Sequence, residues 1–370
     1  MKIMSVIGTR PEAIKMAPLI LALKKEQNIE ALLCVTAQHR SMLDQVLALF
    51  DIVPDYDLDV MKPNQTLSMI TANVLNGIDG VLEREKPDMV LVHGDTSTTF
   101  ATALACFYHQ IPVGHVEAGL RTYNKYSPFP EEINRVLTGH IADLHFAPTQ
   151  RNKDNLTREG IDEKHIFITG NTVIDTLFEV ANKPYVFEDE ILSRLDFEKK
   201  RVVTVTCHRR ENLGEYMENI FRAIGRIAKE FPDVEIVYPV HLNPKVKEAA
   251  AKHFDCIKNV HLIAPLTYQP FVNLMAKSYF IITDSGGMQE EAPALGKPVL
   301  VVRKETERPE AVEAGTVKLA GIEEEDIYTM AKKLLEDKEE YEAMAKAVNP
   351  YGDGHACARI IEILKKVLDA

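Results

Sequence analysis

A chain of 370 residues is longer than one hydrophobic core usually organises, which predicts two domains, each able to bury a core of its own. Its 46% hydrophobic and 26% charged residues fit a soluble globular protein, and no apolar run approaches the roughly 20 residues of a membrane span. A net charge of −12 argues against nucleic acid and anionic membranes as partners, so an anionic ligand needs a local cluster of cations.

Lys2 to Ile7 reads as a short apolar strand, and Arg10-Pro-Glu12 interrupts it before a signal-peptide core could form. The five cysteines (34, 106, 207, 256 and 357) are odd in number and scattered, without the close pairs of a zinc or redox motif. A reduced, cytoplasmic setting is expected. A helix follows from Pro11 to Glu26, with Pro18 expected to bend or restart it. Between strand and helix lies Gly8-Thr-Arg-Pro-Glu-Ala-Ile-Lys15. Arg10 in the loop and Lys15 one turn into the helix can point at one site above the sheet, although two solvated cations are the ordinary outcome for such a pair.

Ala31 to Thr36 reads as a second strand ending in Gln38, His39 and Arg40, before a helical segment to Phe50. Asp55, Asp57 and Asp59 have the spacing of a divalent-cation site. They follow Pro54 away from a strand end, however, and a solvated loop is the better reading. Leu67 to Leu82 is an amphipathic helix and Met89 to Val92 a strand, followed by His93-Gly-Asp95 and an alanine-rich helix from Phe100 to Tyr108. Val113-Gly-His-Val-Glu117-Ala-Gly-Leu-Arg121 ends another strand, and a proline-bounded loop then runs to Glu131 at a helix start. Asp95 and Glu131 could each serve a helix N-terminus. Three carboxylates on loops at one sheet edge, Asp95, Glu117 and Glu131, are still more than caps require.

Thr172 to Lys183 reads as a helix, and the polar stretch Pro184 to Lys200 has the look of a linker. The α/β alternation then restarts. The strand Arg201 to Thr206 runs into Cys207-His208-Arg209-Arg210-Glu211, a cation cluster at a strand end of the kind the net charge calls for. Glu235 to Val240 ends at His241, and Val260 to Ile263 leads to Leu266 and Phe271, which could hold a planar base. Phe280 to Thr283 is an apolar strand that stops at Asp284, and Ser285-Gly-Gly287 leads into a helix. Such a turn suits a phosphate, because glycines let the backbone come close and the first helical N–H groups favour an anion. A tight turn without a ligand is the plain alternative. Arg308 is a further phosphate or ribose candidate, and Lys338 to Ala347 and Ala356 to Leu368 are terminal helices.

The expected architecture is α/β: two doubly wound Rossmann-like domains facing a cleft, in the manner of glycosyltransferase B-type proteins. Residues 1–172 would carry the carboxylates and residues 173–352 would bind the nucleotide. A final helix, 353–370, would return to the first domain. Gly8–Lys15, His93-Gly-Asp95, Gly114–Arg121, Cys207–Glu211 and Thr283-Asp-Ser-Gly-Gly-Met-Gln-Glu-Glu291 together resemble the bacterial non-hydrolysing UDP-N-acetylglucosamine 2-epimerases over nearly the whole chain. Cys207 stands where a glycine is common and Met288 where isoleucine is common.

The resemblance implies reversible conversion of UDP-N-acetylglucosamine to UDP-N-acetylmannosamine, without metal or other cofactor and in a homodimer, the product feeding a surface polysaccharide. It implies that Arg10, Lys15, Asp95, Glu117, His208, Leu266, Phe271, Ser285, Gly286, Gly287, Glu291 and Arg308 hold the nucleotide sugar. Asp95, Glu117, Glu131 and His208 would serve in catalysis. Gln38, His39, Glu131, Arg210 and His241 would line a second pocket where UDP-N-acetylglucosamine activates the enzyme. A glycosyltransferase acting on a UDP-sugar, or a UDP-sugar sensor without catalysis, are the other function classes that such a nucleotide site would fit.

Overall fold

The computed structural model describes residues 1–37, 40–62 and 64–368, the side chain of Ser41 excepted. The chain divides into two compact units, Met1–Glu179 with Tyr351–Ala370, and Val180–Pro350. Among the described residues no helix is long and apolar enough to cross a membrane.

The first unit alternates β1 (Lys2–Ile7), α1 (Arg10–Lys25), β2 (Glu30–Val35), α2 (Arg40–Leu49), β3 (Tyr56–Asp57), α3 (Leu67–Glu85), β4 (Met89–His93) and α4 (Ser97–Tyr108). It continues through β5 (Val113–Val116), α5 (Glu131–Ile141), β6 (Leu144–Ala147), α6 (Gln150–Arg158), β7 (Ile166–Ile168) and α7 (Thr172–Ala181). The strands form one sheet in the order β3-β2-β1-β4-β5-β6-β7, with every pairing parallel. Central strands such as β4 are buried along their whole length, as expected of a parallel sheet covered by helices on both faces. The strand order reverses between β1 and β4. Loops leaving those two strands at their carboxyl ends therefore diverge to opposite faces and leave a crevice, the usual place for a ligand in such sheets.

Two local features fix the loop after β1. Thr9 and Glu12 form a reciprocal capping box at the start of α1. Gly8 lies so close to the hydroxyls of Thr36 and Thr98 that a Cβ there would overlap both. Pro18 neither breaks nor restarts α1, which runs as one helix. The proline has no N–H for the carbonyl of Ile14, and the Thr176 hydroxyl of α7 donates to that carbonyl instead at 2.7 Å.

The second unit runs β8 (Arg201–Thr206), α8 (Glu215–Glu230), β9 (Val234–Pro239), α9 (Pro244–Phe254), β10 (Val260–Ile263), α10 (Tyr268–Lys277) and β11 (Phe280–Thr283). It ends with α11 (Met288–Ala294), β12 (Val299–Val301), α12 (Pro309–Glu313), β13 (Val317–Leu319), α13 (Glu324–Glu336) and α14 (Lys338–Ala345). Its parallel sheet has the order β10-β9-β8-β11-β12-β13, so the reversal falls between β8 and β11. The stretch that reads as a linker is packed structure: Phe187 and Leu192 are buried with Val202 and Val237, and Tyr185 and Phe197 lie against them. The aromatic residues among its charges carry that packing, with the Phe187 and Phe197 rings stacked at 5.5 Å.

The chain returns to the first unit through α15 (Ala356–Leu368). Asp175 of α7 accepts the backbone N–H groups of Ala356 and Cys357 at the start of that helix. Lys365 near its end pairs with Glu26 at 2.6 Å. Although sequence places α7 at the opening of the second domain, the helix is anchored to α1 and α15, and the first unit extends to Glu179.

Candidate active site

In the first unit, charged groups gather at the carboxyl ends of β1, β4 and β5. Glu117 is the first residue after β5 and has φ +61, a left-handed conformation that a non-glycine residue adopts at a cost of about 1–3 kcal/mol. Its Oε1 accepts from Lys15 Nζ at 2.5 Å and from Asn171 Nδ2 at 3.0 Å. Its Oε2 lies 3.4 Å from His93 Nε2. Gly119, two residues on, has φ +92 and sits so close to the backbone carbonyl of Asn152 that a Cβ would overlap it. The loop carrying Glu117 is thereby pinned to α6.

Asp95, two residues beyond β4, is held by Arg135 Nη2 at 2.5 Å. Its own backbone carbonyl accepts from Asn134 Nδ2 at 3.0 Å. Burial raises the Asp95 carboxyl above its ordinary range and the nearby Glu117 adds to this, while Arg135 and Lys15 oppose it. A carboxyl poised in this way can exchange a proton near neutrality more readily than an exposed aspartate. Glu131 heads α5, half-buried. The adjacent Glu132 is buried and accepts the N–H groups of Thr122 and Tyr123 at 3.1 and 2.8 Å, which ties down the long loop before α5.

Beneath these groups lie three buried imidazoles on neighbouring strands, His93, His115 and His145. Burial holds His93 and His115 at a pKa of about 4 and His145 at about 3. All three are therefore neutral in the physiological range. His115 Nε2 is 2.7 Å from the carbonyl of Gly94 and steadies the turn that leads to Asp95.

In the second unit the organising residue is Asp284, fully buried at the end of β11. Its Oδ2 accepts the backbone N–H groups of His208 and Arg209, each at 2.7 Å, and Asn212 Nδ2 at 3.2 Å. The loop after β8 is thus fastened to the turn after β11 across the sheet's reversal point. The His208 ring stacks on His241 from the end of β9, 5.2 Å between centroids and 11° between planes. The Ser285 N–H donates to Thr283 Oγ1 at 2.9 Å, and no intramolecular hydrogen bond from the N–H of Gly286 or Gly287 occurs among the described residues. Neither glycine has a positive φ. A Cβ at Gly286 would come within 3.7 Å of Arg209 Nη2 and one at Gly287 within 3.1 Å of Glu291 Oε1. The turn thus sets backbone N–H groups beside the guanidinium of Arg209, an arrangement an anionic group can use, with the Glu291 carboxylate close to Gly287. Arg308 pairs with the buried Glu290, and Leu266 and Phe271 flank the start of α10, both half-buried.

The first unit brings Lys15, Asp95 and Glu117 together and places Glu131 at the head of α5, and the second places His208, Ser285, Gly286, Gly287, Glu291 and Arg308 on the segments that follow β8, β11 and β12. Arg10 is exposed beside the Lys15 helix start. Lys15 is engaged by Glu117. Arg210 and His241 are exposed at the ends of β8 and β9, while Gln38 and His39 lie outside the described residues. Sequence reasoning missed Asn171, Arg135, Asp284 and His93 as working parts. Asn171 and Arg135 sit far along the chain from the carboxylates they touch, with no local pattern to mark them. His93 and Asp284 stood inside motifs already singled out and had only their neighbours assigned. The aspartates 55, 57 and 59 are otherwise occupied: Asp57 pairs with Arg40 at 2.5 Å and Asp55 accepts the Leu33 N–H at 2.8 Å.

The model of the UDP-N-acetylglucosamine 2-epimerase family matches residues 21–365. The UDP-N-acetylglucosamine 2-epimerase of Bacillus subtilis is 61% identical over 98% of this chain and 95% of its own length. That of Escherichia coli K12 is 56% identical over 99% and 98%. Among solved structures, the Neisseria meningitidis UDP-GlcNAc 2-epimerase bound to UDP-GlcNAc superposes with a TM-score of 0.86 at 53% identity, covering 99% of this chain and all of that one. A UDP-N-acetylglucosamine 2-epimerase crystal structure superposes at 0.92 with 58% identity, covering 100% and 97%.

Proposed function

This chain belongs to the UDP-N-acetylglucosamine 2-epimerase family and is an isomerase of that kind, and we propose that it epimerises UDP-N-acetylglucosamine at C2 by elimination and re-addition of UDP. The C2 proton is not adjacent to a carbonyl, so its removal needs a group that leaves from C1. A carboxylate of the first unit takes the C2 proton, and the C2–H electron pair closes a C1=C2 double bond. The C1–O pair departs with UDP, leaving a 2-acetamidoglucal. UDP then re-adds at C1 while a carboxyl delivers a proton to the opposite face of C2, giving UDP-N-acetylmannosamine. Every step is a proton transfer or the making or breaking of the C1–O bond, so no oxidant or reductant is consumed.

The observation that carries this reading is the pair of carboxylates on adjacent strand ends, Asp95 with a raised pKa and Glu117 held by Lys15 and Asn171. In this reading Asp95 and Glu117 handle the C2 proton, with Glu131 assisting. Arg10, Lys15, His208, Ser285, Gly286, Gly287, Glu291 and Arg308 hold the diphosphate and sugar, and Leu266 and Phe271 the base. Charge developing on the departing diphosphate is met by cations and uncovered backbone N–H groups, and His208 can hydrogen-bond that leaving group.

UDP-N-acetylglucosamine is further proposed to activate the enzyme from a second position contacted by Gln38, His39, Glu131, Arg210 and His241. The setting is cytoplasmic, the product supplies a surface polysaccharide, and the working form is a homodimer. Supporting the dimer, Leu67 and Met69 of α3, Phe107 and Tyr108 of α4, and Ile133 and Leu137 of α5 are large apolar side chains exposed on neighbouring helices.

A proton NMR time course with UDP-N-acetylglucosamine tests the reading. UDP-N-acetylmannosamine accumulating to a constant ratio, from either direction, is the expected result. Sugar transfer to an acceptor, or an unaltered spectrum, contradicts it.

A further inference from the structure

His93 ends β4 with its side chain almost wholly buried, at 3% exposure, and its Nε2 has no hydrogen-bond partner among the described residues. A buried polar nitrogen left without a partner carries a desolvation cost of about 1–3 kcal/mol, so its presence calls for a reason. The nitrogen faces Glu117 Oε2 at 3.4 Å. The opposite oxygen of that carboxylate is engaged by Lys15 and Asn171. Building on the role proposed above for Glu117, we propose that His93 is a positioning residue for that carboxylate: a neutral imidazole whose Nε2–H closes onto Oε2 when Glu117 is ionised and lets go when Glu117 takes the substrate proton.

The separation suits a contact that forms and releases. A strong N–H···O bond spans about 2.7–3.2 Å, so a shift of a few tenths of an ångström makes or breaks it, and catalytic hydrogen bonds are commonly long before substrate binds. The turn that hugs the carboxylate is itself fixed, with Thr99 Oγ1 donating to the His93 carbonyl at 2.6 Å and His115 bonded to Gly94.

A neutral donor is the chemistry this position needs. A second cation beside Lys15 would hold Glu117 too firmly as the carboxylate for it to carry a proton, and an apolar side chain would offer Oε2 no donor from β4. The charged and titratable groups around Glu117 include Lys15 from α1, His93 and Asp95 from β4 and its turn, and His115 from β5, with the uncharged Asn171 before α7. Of these, Lys15, Asn171 and His93 approach the carboxylate itself. A hydrogen bond donated to the ionised form lowers a carboxyl pKa. Losing His93 therefore raises that of Glu117.

The test compares His93→Leu, which removes the donor, with His93→Gln, which offers an amide N–H in its place. For His93→Leu, kcat falls about tenfold or more, the scale of one hydrogen bond to a charged group. KM for UDP-N-acetylglucosamine stays close to wild type, and the acid limb of the kcat profile moves to higher pH. His93→Gln moves both kcat and the acid limb back toward wild type. An acid limb that does not move in His93→Leu, or a Gln variant no nearer to wild type than Leu, overturns the proposal.

Nitrogen-15 NMR of histidine-labelled wild-type protein needs no variant to fold. A neutral ring with the proton on Nε2 from pH 5.5 to 8 is expected for His93, and the Nδ1–H tautomer or an imidazolium overturns the assignment. Solvent deuterium uptake at C2 by the wild-type enzyme checks the underlying role of Glu117 separately. Its absence would remove that role while leaving the tautomer of His93 as measured.

Discussion

At the scale of single residues, the account rests on two carboxylates whose surroundings differ. Glu117 sits in a left-handed backbone conformation with a lysine on one oxygen, and Asp95 is half-buried against Arg135 with its pKa raised. Unlike neighbours give two carboxyl groups different proton affinities, and a reaction that removes a proton from one face and returns it to the other needs such a pair. Glu117→Gln and Asp95→Asn keep the shape and remove the titrating group. Each should lower kcat by about 10²–10⁴-fold, while UDP affinity, measured calorimetrically, stays close to wild type because the cations and backbone donors of the second unit are untouched. A comparable loss of UDP affinity would mean that the carboxylates serve binding.

At the scale of elements, single hydrogen bonds explain features that sequence rules misjudge. α1 stays continuous through Pro18 because Thr176 donates to the carbonyl that the proline leaves without its helical partner. Thr176→Val should therefore cost about 1–3 kcal/mol of stability, read by urea unfolding. An unchanged midpoint would show that the carbonyl needs no donor. No local pattern could have foretold this, since Ile14, which owns that carbonyl, and Thr176 lie 162 positions apart.

The linker-like stretch before β8 misled for a related reason. Its charges are on the surface, and its few aromatic residues acquire a core only once β8 and β9 exist to receive them. Strands β1, β4, β8 and β11 and the loops at their ends were legible because continuous apolar runs and turn residues are local signals. Thr96, whose side chain accepts from Thr99 N, starts α4 at Ser97, ahead of the Phe100 expected from the alanine-rich pattern.

The histidine ladder on β4, β5 and β6 also belongs to this scale. An imidazole that ionises near 6.5 when unfolded and near 4 when folded binds more protons in the unfolded chain between those values. The unfolding free energy therefore rises with pH in that window. Stability is complete above about 6.5 and drains away as pH falls toward 4, or toward about 3 for His145, by roughly 3–5 kcal/mol for each ring. Urea midpoints measured from pH 7.5 to 4.5 should show that slope, and His145→Leu, away from the carboxylates, should flatten it. A slope unaffected by the substitution would assign the acid sensitivity to other groups.

At the scale of the whole molecule, both units place their functional loops at the point where strand order reverses, β1 and β4 in one and β8 and β11 in the other. An acidic protein cannot hold a diphosphate by its overall field, so local donors are needed, and the second unit sets the Arg209 guanidinium beside Gly286 in the turn after β11. The same molecule leaves apolar side chains exposed on α3, α4 and α5. If the proposed homodimer packs through this patch, Leu137→Glu should shift the sedimenting species from dimer toward monomer; wild-type protein that sediments as a monomer, or a variant with an unaltered distribution, would contradict that.

The most direct test of the central claim is the fate of the C2 hydrogen when UDP-N-acetylglucosamine is turned over in heavy water. Elimination through carboxyl groups that exchange with solvent predicts deuterium at C2 of the UDP-N-acetylmannosamine formed, with the rest of the sugar unlabelled. Epimerised product that retains its original C2 proton would contradict the account.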